Sequence, residues 1–159
     1  MSGDLVLLAE LPDEEATVDL AERLAPLLAA GDLLILSGDL GAGKTFFSGA
    51  LCRALGLDAD EPVTSPTFTL VHEYGTEPPV AHADVYRLKS AAEVRELGLL
   101  ERRDEGWLVL VEWGEPYVDD LGGDALELVL ESFPRRAWGR ARGPRGLALL
   151  NELGEEAEA

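Results

Sequence analysis

The stretch Gly38-Asp-Leu-Gly-Ala-Gly-Lys-Thr45 restricts what this chain can fold into more than any other. It fits the phosphate-loop pattern G-x-x-x-x-G-K-[ST]. Gly38, Gly41 and Gly43 can take backbone angles closed to residues with a Cβ, so the loop can curl with its N–H groups pointing inward. With the free N–H groups of a following helix they make a concave anion site. Lys44 supplies a positive charge for β- and γ-phosphates, and the Thr45 hydroxyl can coordinate Mg²⁺.

The pattern means this only between a strand and a helix, and the flanks read that way. Asp32–Ser37 is an apolar run bounded by turn residues, the signature of a buried strand. Phe46–Leu55 reads as a helix that closes at Gly56. The chain uses two lysines, Lys44 and Lys89, against eleven arginines. A sequence so biased toward arginine that keeps lysine here needs a compact ammonium at that point.

A chain of 159 residues with 47% apolar content suits one domain over residues 1–159, with an acidic tail from Glu155. No apolar run approaches the roughly 20 residues of a membrane span. Met1-Ser-Gly-Asp4 has no basic segment of the signal-peptide kind. The single cysteine, Cys52, excludes an internal disulfide and a cysteine zinc cluster. These features place the expected location in the cytoplasm, away from membranes. The net charge of −18 argues against broad direct nucleic-acid binding. Arg135–Arg145 runs against that sign, with five arginines and no acid. It reads either as an edge strand kept soluble by arginine or as a contact for phosphate, RNA or an acidic partner.

In chain order, Leu5–Leu11 is a short strand, and Asp13–Ala29 is a helix with Leu20, Leu24, Leu27 and Leu28 on one face. Pro26 should kink or end it. Val63–Tyr74 passes from a Ser/Thr/Pro loop into a strand, and Val80–Tyr86 forms another. Alternation predicts His82, Asp84 and Tyr86 on one face of it. Ser90 opens a short capped helix ending near Gly98. Trp107–Trp113 reads as a doubly covered central strand with Glu112 at its end. Asp124–Ser132 and Arg135–Arg142 are two late strands joined at Phe133-Pro134. Pro144 opens a last helix over Arg145–Leu153, and Glu155–Ala159 is expected to fray.

A phosphate loop needs a carboxylate at the end of a neighbouring strand, for Mg²⁺ or for water. Glu112 and Asp84 are the two candidates. We assign Glu112 to the magnesium shell and Asp84 to the attacking water. Thr67 in Ser65-Pro-Thr-Phe-Thr69 is either a hydroxyl that reads the γ-phosphate or a local turn-former. His72 and His82 read as hydrogen-bonded strand histidines rather than metal ligands. Cys52 reads as a small core residue. The chain has no glutamine to position water, and its one asparagine, Asn151, excludes an Asn-Lys-x-Asp guanine motif, which favours ATP over GTP.

Taken together, the loop, Ser65-Pro-Thr-Phe-Thr-Leu70, His82-x-Asp-x-Tyr-Arg-Leu88, Glu96-Leu-Gly-Leu99 and Val111-Glu-Trp113 resemble the bacterial TsaE (YjeE) family across roughly Leu5–Glu131. The resemblance implies an α/β fold: a P-loop NTPase-like three-layer arrangement with a mixed central sheet and helices on both faces. It implies a Mg²⁺-dependent ATPase, weak alone, needed for threonylcarbamoyladenosine in tRNA. Such a protein acts on tRNA indirectly, by associating with the TsaB–TsaD pair in its ATP state. By the same resemblance ATP contacts map to Gly41, Ala42, Gly43, Lys44, Thr45 and Phe46, and magnesium to Thr45 and Glu112. Asp84 matches the candidate catalytic acid, while Trp113 and Thr17 match residues near the nucleotide. Phe46 departs from a second hydroxyl residue common in the family, leaving only its N–H for the α-phosphate. A small P-loop kinase with the late arginines as a lid, and a nucleotide-gated binding module without turnover, are the alternatives.

Overall fold

The computed structural model describes residues 4–39, 41–66 and 69–158, with side chains as far as Gly154. The strands are β1 (Val6–Glu10), β2 (Leu33–Gly38), β3 (Val71–Tyr74), β4 (Val80–Asp84), β5 (Leu108–Glu112), β6 (Ala125–Ser132) and β7 (Arg135–Arg142). The helices are α1 (Glu14–Leu24), α2 (Lys44–Ala54), α3 (Ala91–Arg95), α4 (Leu99–Asp104) and α5 (Pro144–Glu158).

The strands make one seven-stranded sheet in the order β1-β7-β6-β2-β5-β4-β3. β2 lies parallel between β5 and β6, and β4 extends the parallel part beyond β5. β3, β7 and β1 pair antiparallel at the two ends, so the sheet is mixed. The runs Leu33-Leu-Ile-Leu36 and Leu108-Val-Leu-Val111 are buried throughout. This is the pattern that a parallel sheet covered on both faces demands.

Alternation splits these runs between two cores. Leu34, Leu36, Leu108 and Leu110 pack with Leu20 and Leu24 of α1, Phe47 and Leu51 of α2, and Leu150 and Leu153 of α5. Leu33, Ile35, Val109 and Val111 pack with Val94 of α3, Leu99 of α4 and Leu121. The result is a three-layer α/β fold with helices on both faces, as the motifs imply.

Several boundaries move for local reasons. The α1 helix begins at an Asp13 cap that accepts from the Ala16 N–H at 2.9 Å, and it ends at Leu24. A 3₁₀ turn over Ala25–Leu27 carries Pro26, so the α-helix does not reach Ala29. The phosphate-loop helix starts at Lys44, two residues before the apolar pattern, because Gly43 caps it in a left-handed conformation. β4 stops at Asp84 rather than Tyr86. Asp84 accepts the Tyr86 N–H at 2.9 Å and turns the chain itself. Tyr86 is therefore 53% exposed beyond the strand, not beside His82 on its face. The Ser90 cap forms with the Glu93 N–H, but its helix ends at Arg95 and α4 follows after the left-handed Gly98. α5 continues past Leu153 to Glu158, so helical backbone takes in most of the segment expected to fray.

α5 is fixed at its start. Arg145 grips both carboxylate oxygens of Asp32 at 2.9 Å and the Leu27 carbonyl at 2.8 Å. Gly146 follows, with its N–H on Asp124 at 2.8 Å. A Cβ there would collide with the Ala125 carbonyl. Gly146→Ala should cost about 1–3 kcal/mol of overpacking strain, read as a lower urea midpoint at unchanged slope. Cys52 is buried in α2, and burial pushes its thiol up to about 12. A thiol reagent at pH 8 should find no reactive group in the folded protein and one after denaturation.

Candidate functional site

β2 delivers the chain into the loop, and the first glycine is there for space as much as for angle. Gly38 has φ +135°, and a Cβ on it would clash with the Leu130 carbonyl of β6. Gly41 and Gly43 also lie at positive φ. α2 begins directly after them, so its first N–H groups face the space the loop encloses.

The Lys44 side chain folds back over the loop. Its ammonium donates to the Gly38 carbonyl at 2.6 Å and the Asp39 carbonyl at 3.0 Å, and it lies 4.1 Å from the centre of the Trp113 ring. Burial lowers the Lys44 pKa, while Glu112, Glu115, Asp84 and Asp39 act against that. Trp113 follows the end of β5 in a left-handed conformation, φ 65°, uncommon for a bulky residue. That turn sets its ring under the ammonium and 4.8 Å from the Tyr86 ring.

Asp84 and Glu112 end adjacent parallel strands and are register partners. Both are nearly buried. Asp84 accepts from the Ser65 hydroxyl at 3.0 Å and the Tyr86 N–H at 2.9 Å. Glu112 meets His82 Nε2 at 2.6 Å. One cavity of about 540 Å³ is lined by Gly41, Gly43, Lys44, Thr45, Phe46, Ser65, Asp84, Glu112 and Trp113, among others. A second, of about 330 Å³, shares Gly41, Gly43 and Phe46 and continues past Ala42 to Thr17, Leu130 and Arg135.

The sequence-derived residues therefore converge on two joined cavities. Thr17, Ala42 and Arg135 line the second, the acids and Trp113 line the first, and Phe46 stands between. Thr67 lies outside the described residues. Two participants were not assigned from the sequence. Arg135 donates to the Ala42 carbonyl at 3.3 Å and the Gly41 carbonyl at 3.4 Å, and His82 holds Glu112. Both depend on register between distant strands, which local pattern does not carry.

The other arginines of 135–145 have internal acids. Arg136 bonds Glu131, Arg140 and Arg142 face the buried Glu127, and Arg145 holds Asp32. The segment thus serves the sheet and loop.

Among the described residues no cluster of three or more His, Cys, Asp or Glu side chains forms a metal cage. A hydroxyl and a carboxylate, Thr45 and Glu112, instead share a cavity with a phosphate loop. That donor set fits magnesium, which takes one or two carboxylates and completes its shell with phosphate and water. No helix of the described residues is long and apolar enough to cross a membrane.

A mixed α/β sheet whose central strand runs through a glycine loop into a helix N-terminus defines a P-loop type protein. The family model for threonylcarbamoyl adenosine biosynthesis protein TsaE matches residues 11–137. Proteins named tRNA threonylcarbamoyladenosine biosynthesis protein TsaE are similar along most of the chain. The one from Streptomyces coelicolor is 41% identical over 71% of this chain and 77% of its own. The one from Mycobacterium bovis is 39% identical over 84% and 88%. The crystal structure of Bacillus subtilis YdiB superposes with a TM-score of 0.77 at 30% identity, covering 98% of this chain and 97% of that one. The chain belongs to the TsaE family.

Arg135 braces the loop from a strand far away in sequence. Arg135→Ala should speed amide hydrogen exchange at Ala42, whose N–H donates to the Asp39 carbonyl at 3.0 Å, by roughly tenfold, about the effect of losing one net hydrogen bond. Exchange in β5 should stay unchanged, measured by mass spectrometry.

Proposed function

We propose that the protein binds and slowly hydrolyses Mg·ATP, and that its nucleotide state controls association with the TsaB–TsaD pair in threonylcarbamoyladenosine modification of tRNA. The observation that carries this reading is one cavity lined by Lys44, Thr45, Asp84 and Glu112 at the mouth of a phosphate loop, in a chain of the TsaE family.

In this reading the phosphates enter the first cavity and the nucleoside extends into the second, toward Thr17. Lys44 turns from the loop carbonyls to the β- and γ-phosphates, and the N–H groups of Gly41, Ala42, Gly43 and Phe46 complete the cradle. Thr45 and Glu112 would hold magnesium, which neutralises phosphate charge when bound. Asp84 is held at both carboxylate oxygens by protein donors, which leaves it rigid enough to orient a water. Trp113 closes the cavity beneath the ammonium. Family membership supports the pathway, and the site supports a nucleotide switch rather than the carbamoyl transfer itself. The net charge of −18 suits docking on a protein partner and indirect action on tRNA.

Lys44→Ala should lose about 2–5 kcal/mol of ATP affinity by titration calorimetry, because a phosphate charge loses its buried partner. Wild-type affinity in that variant would remove the nucleotide reading. Asp84→Ala should bind ATP and fail to turn over. In a reconstitution with TsaB, TsaD, tRNA, ATP and threonylcarbamoyl-adenylate, modified adenosine should accumulate over many turnovers with the wild type and not with either variant. Unchanged accumulation when the protein is omitted would refute the pathway role.

A further inference from the structure

We propose that His82 is a positioning residue: it holds one oxygen of Glu112 from inside the sheet, so that the carboxylate presents its other oxygen to the cavity instead of closing on Lys44. The inference rests on the reading of Glu112 as the magnesium-binding acid.

His82 sits on β4 opposite Leu110, so its diagonal neighbour on β5 is Glu112. It is wholly buried, as are its strand neighbours Ala81 and Ala83. Its Nε2 lies 2.6 Å from Glu112 Oε2. Carboxylate oxygens accept, so in this pair the ring Nε2 carries the proton and donates. The Nδ1 atom is buried with no partner among the described residues. An aliphatic side chain at position 82 would fill the space without leaving a polar atom stranded. The residue is thus poorly explained by packing and well explained by its one strong hydrogen bond.

The pull it resists comes from the Lys44 ammonium. Lys44 is close enough to Glu112 for this acid to be the strongest of the charges acting on it. Both residues are buried, where such an attraction is stronger than in water. Yet the ammonium donates to Gly38 and Asp39, and no Lys44–Glu112 ion pair forms among the described residues. A Glu112 anchored at Oε2 cannot swing fully onto the lysine. That keeps the lysine for phosphate and the free oxygen for the cation. Groups that orient a metal-ligating side chain in this way commonly affect metal affinity 10–100-fold.

The test uses the full chain and Mg²⁺-dependent ADP binding by calorimetry, with the melting temperature measured alongside. His82→Leu removes the donor and keeps bulk. His82→Gln keeps an amide donor at similar reach. Glu112→Gln removes the proposed ligand charge. His82→Leu should raise the Mg²⁺ concentration for half-maximal tightening of ADP binding by about tenfold or more, and His82→Gln should restore it to within about threefold of wild type. Where the leucine variant does not fold, His82→Asn, too short to reach Glu112, takes its place against His82→Gln. If Glu112→Gln shifts the Mg²⁺ dependence while the donor-less His82 variant lowers only the melting temperature, the positioning role is overturned. If Glu112→Gln leaves the dependence untouched, the metal reading falls and this inference with it.

Discussion

The ammonium of Lys44 is the point around which the loop closes. Three glycines give the loop its freedom, and a free loop would sample many shapes. Lys44 ties two of its carbonyls together, so the curl is set before any ligand arrives. Those hydrogen bonds also satisfy a buried cation whose pKa burial lowers. The same group holds the loop and waits for phosphate, and the two roles exchange rather than add.

Everything else in the site is arranged by the sheet. β2 stands between β5 and β6, and the loop leaves it beside the ends of β4 and β5. Parallel register puts Asp84 next to Glu112, and the diagonal puts His82 behind Glu112. The far side of the loop is braced by Arg135 at the start of β7. A further bond ties Ser37, just before the loop, to Glu127, which Arg140 also holds at 3.0 Å. The arginine-rich segment is therefore part of the loop's foundation.

What the sequence disclosed follows the range of the interactions. The strand, loop and helix around Lys44 were legible because the pattern is local and each residue type has one physical use. The acids at strand ends were legible for the same reason. α4 is not legible in the sequence because Leu99–Asp104 is too short to show a helical period, and the end of α5 is not because its last turn is acidic. The reach of β4 was overstated because alternation cannot see that Asp84 bonds its own chain two residues on. Arg135 and His82 were out of sight for a different reason. Their partners lie 93 and 30 residues away, and only the strand order brings them together.

That strand order also has a consequence for how the molecule is made. The central strand β2 leaves the ribosome well before one of its two neighbours, β6, which follows only after about ninety residues, as the 90-residue separation between Ser37 and Glu127 records. Gly38 is packed against Leu130, and the loop is braced by Arg135. During synthesis the phosphate loop is thus emitted long before the walls that shape it. The nascent chain carries an apolar central strand with both edges open until β5 and β6 appear, an exposure of the kind that long-range sheet topologies impose on their folding. The binding function is consequently acquired well after its sequence signature has been made.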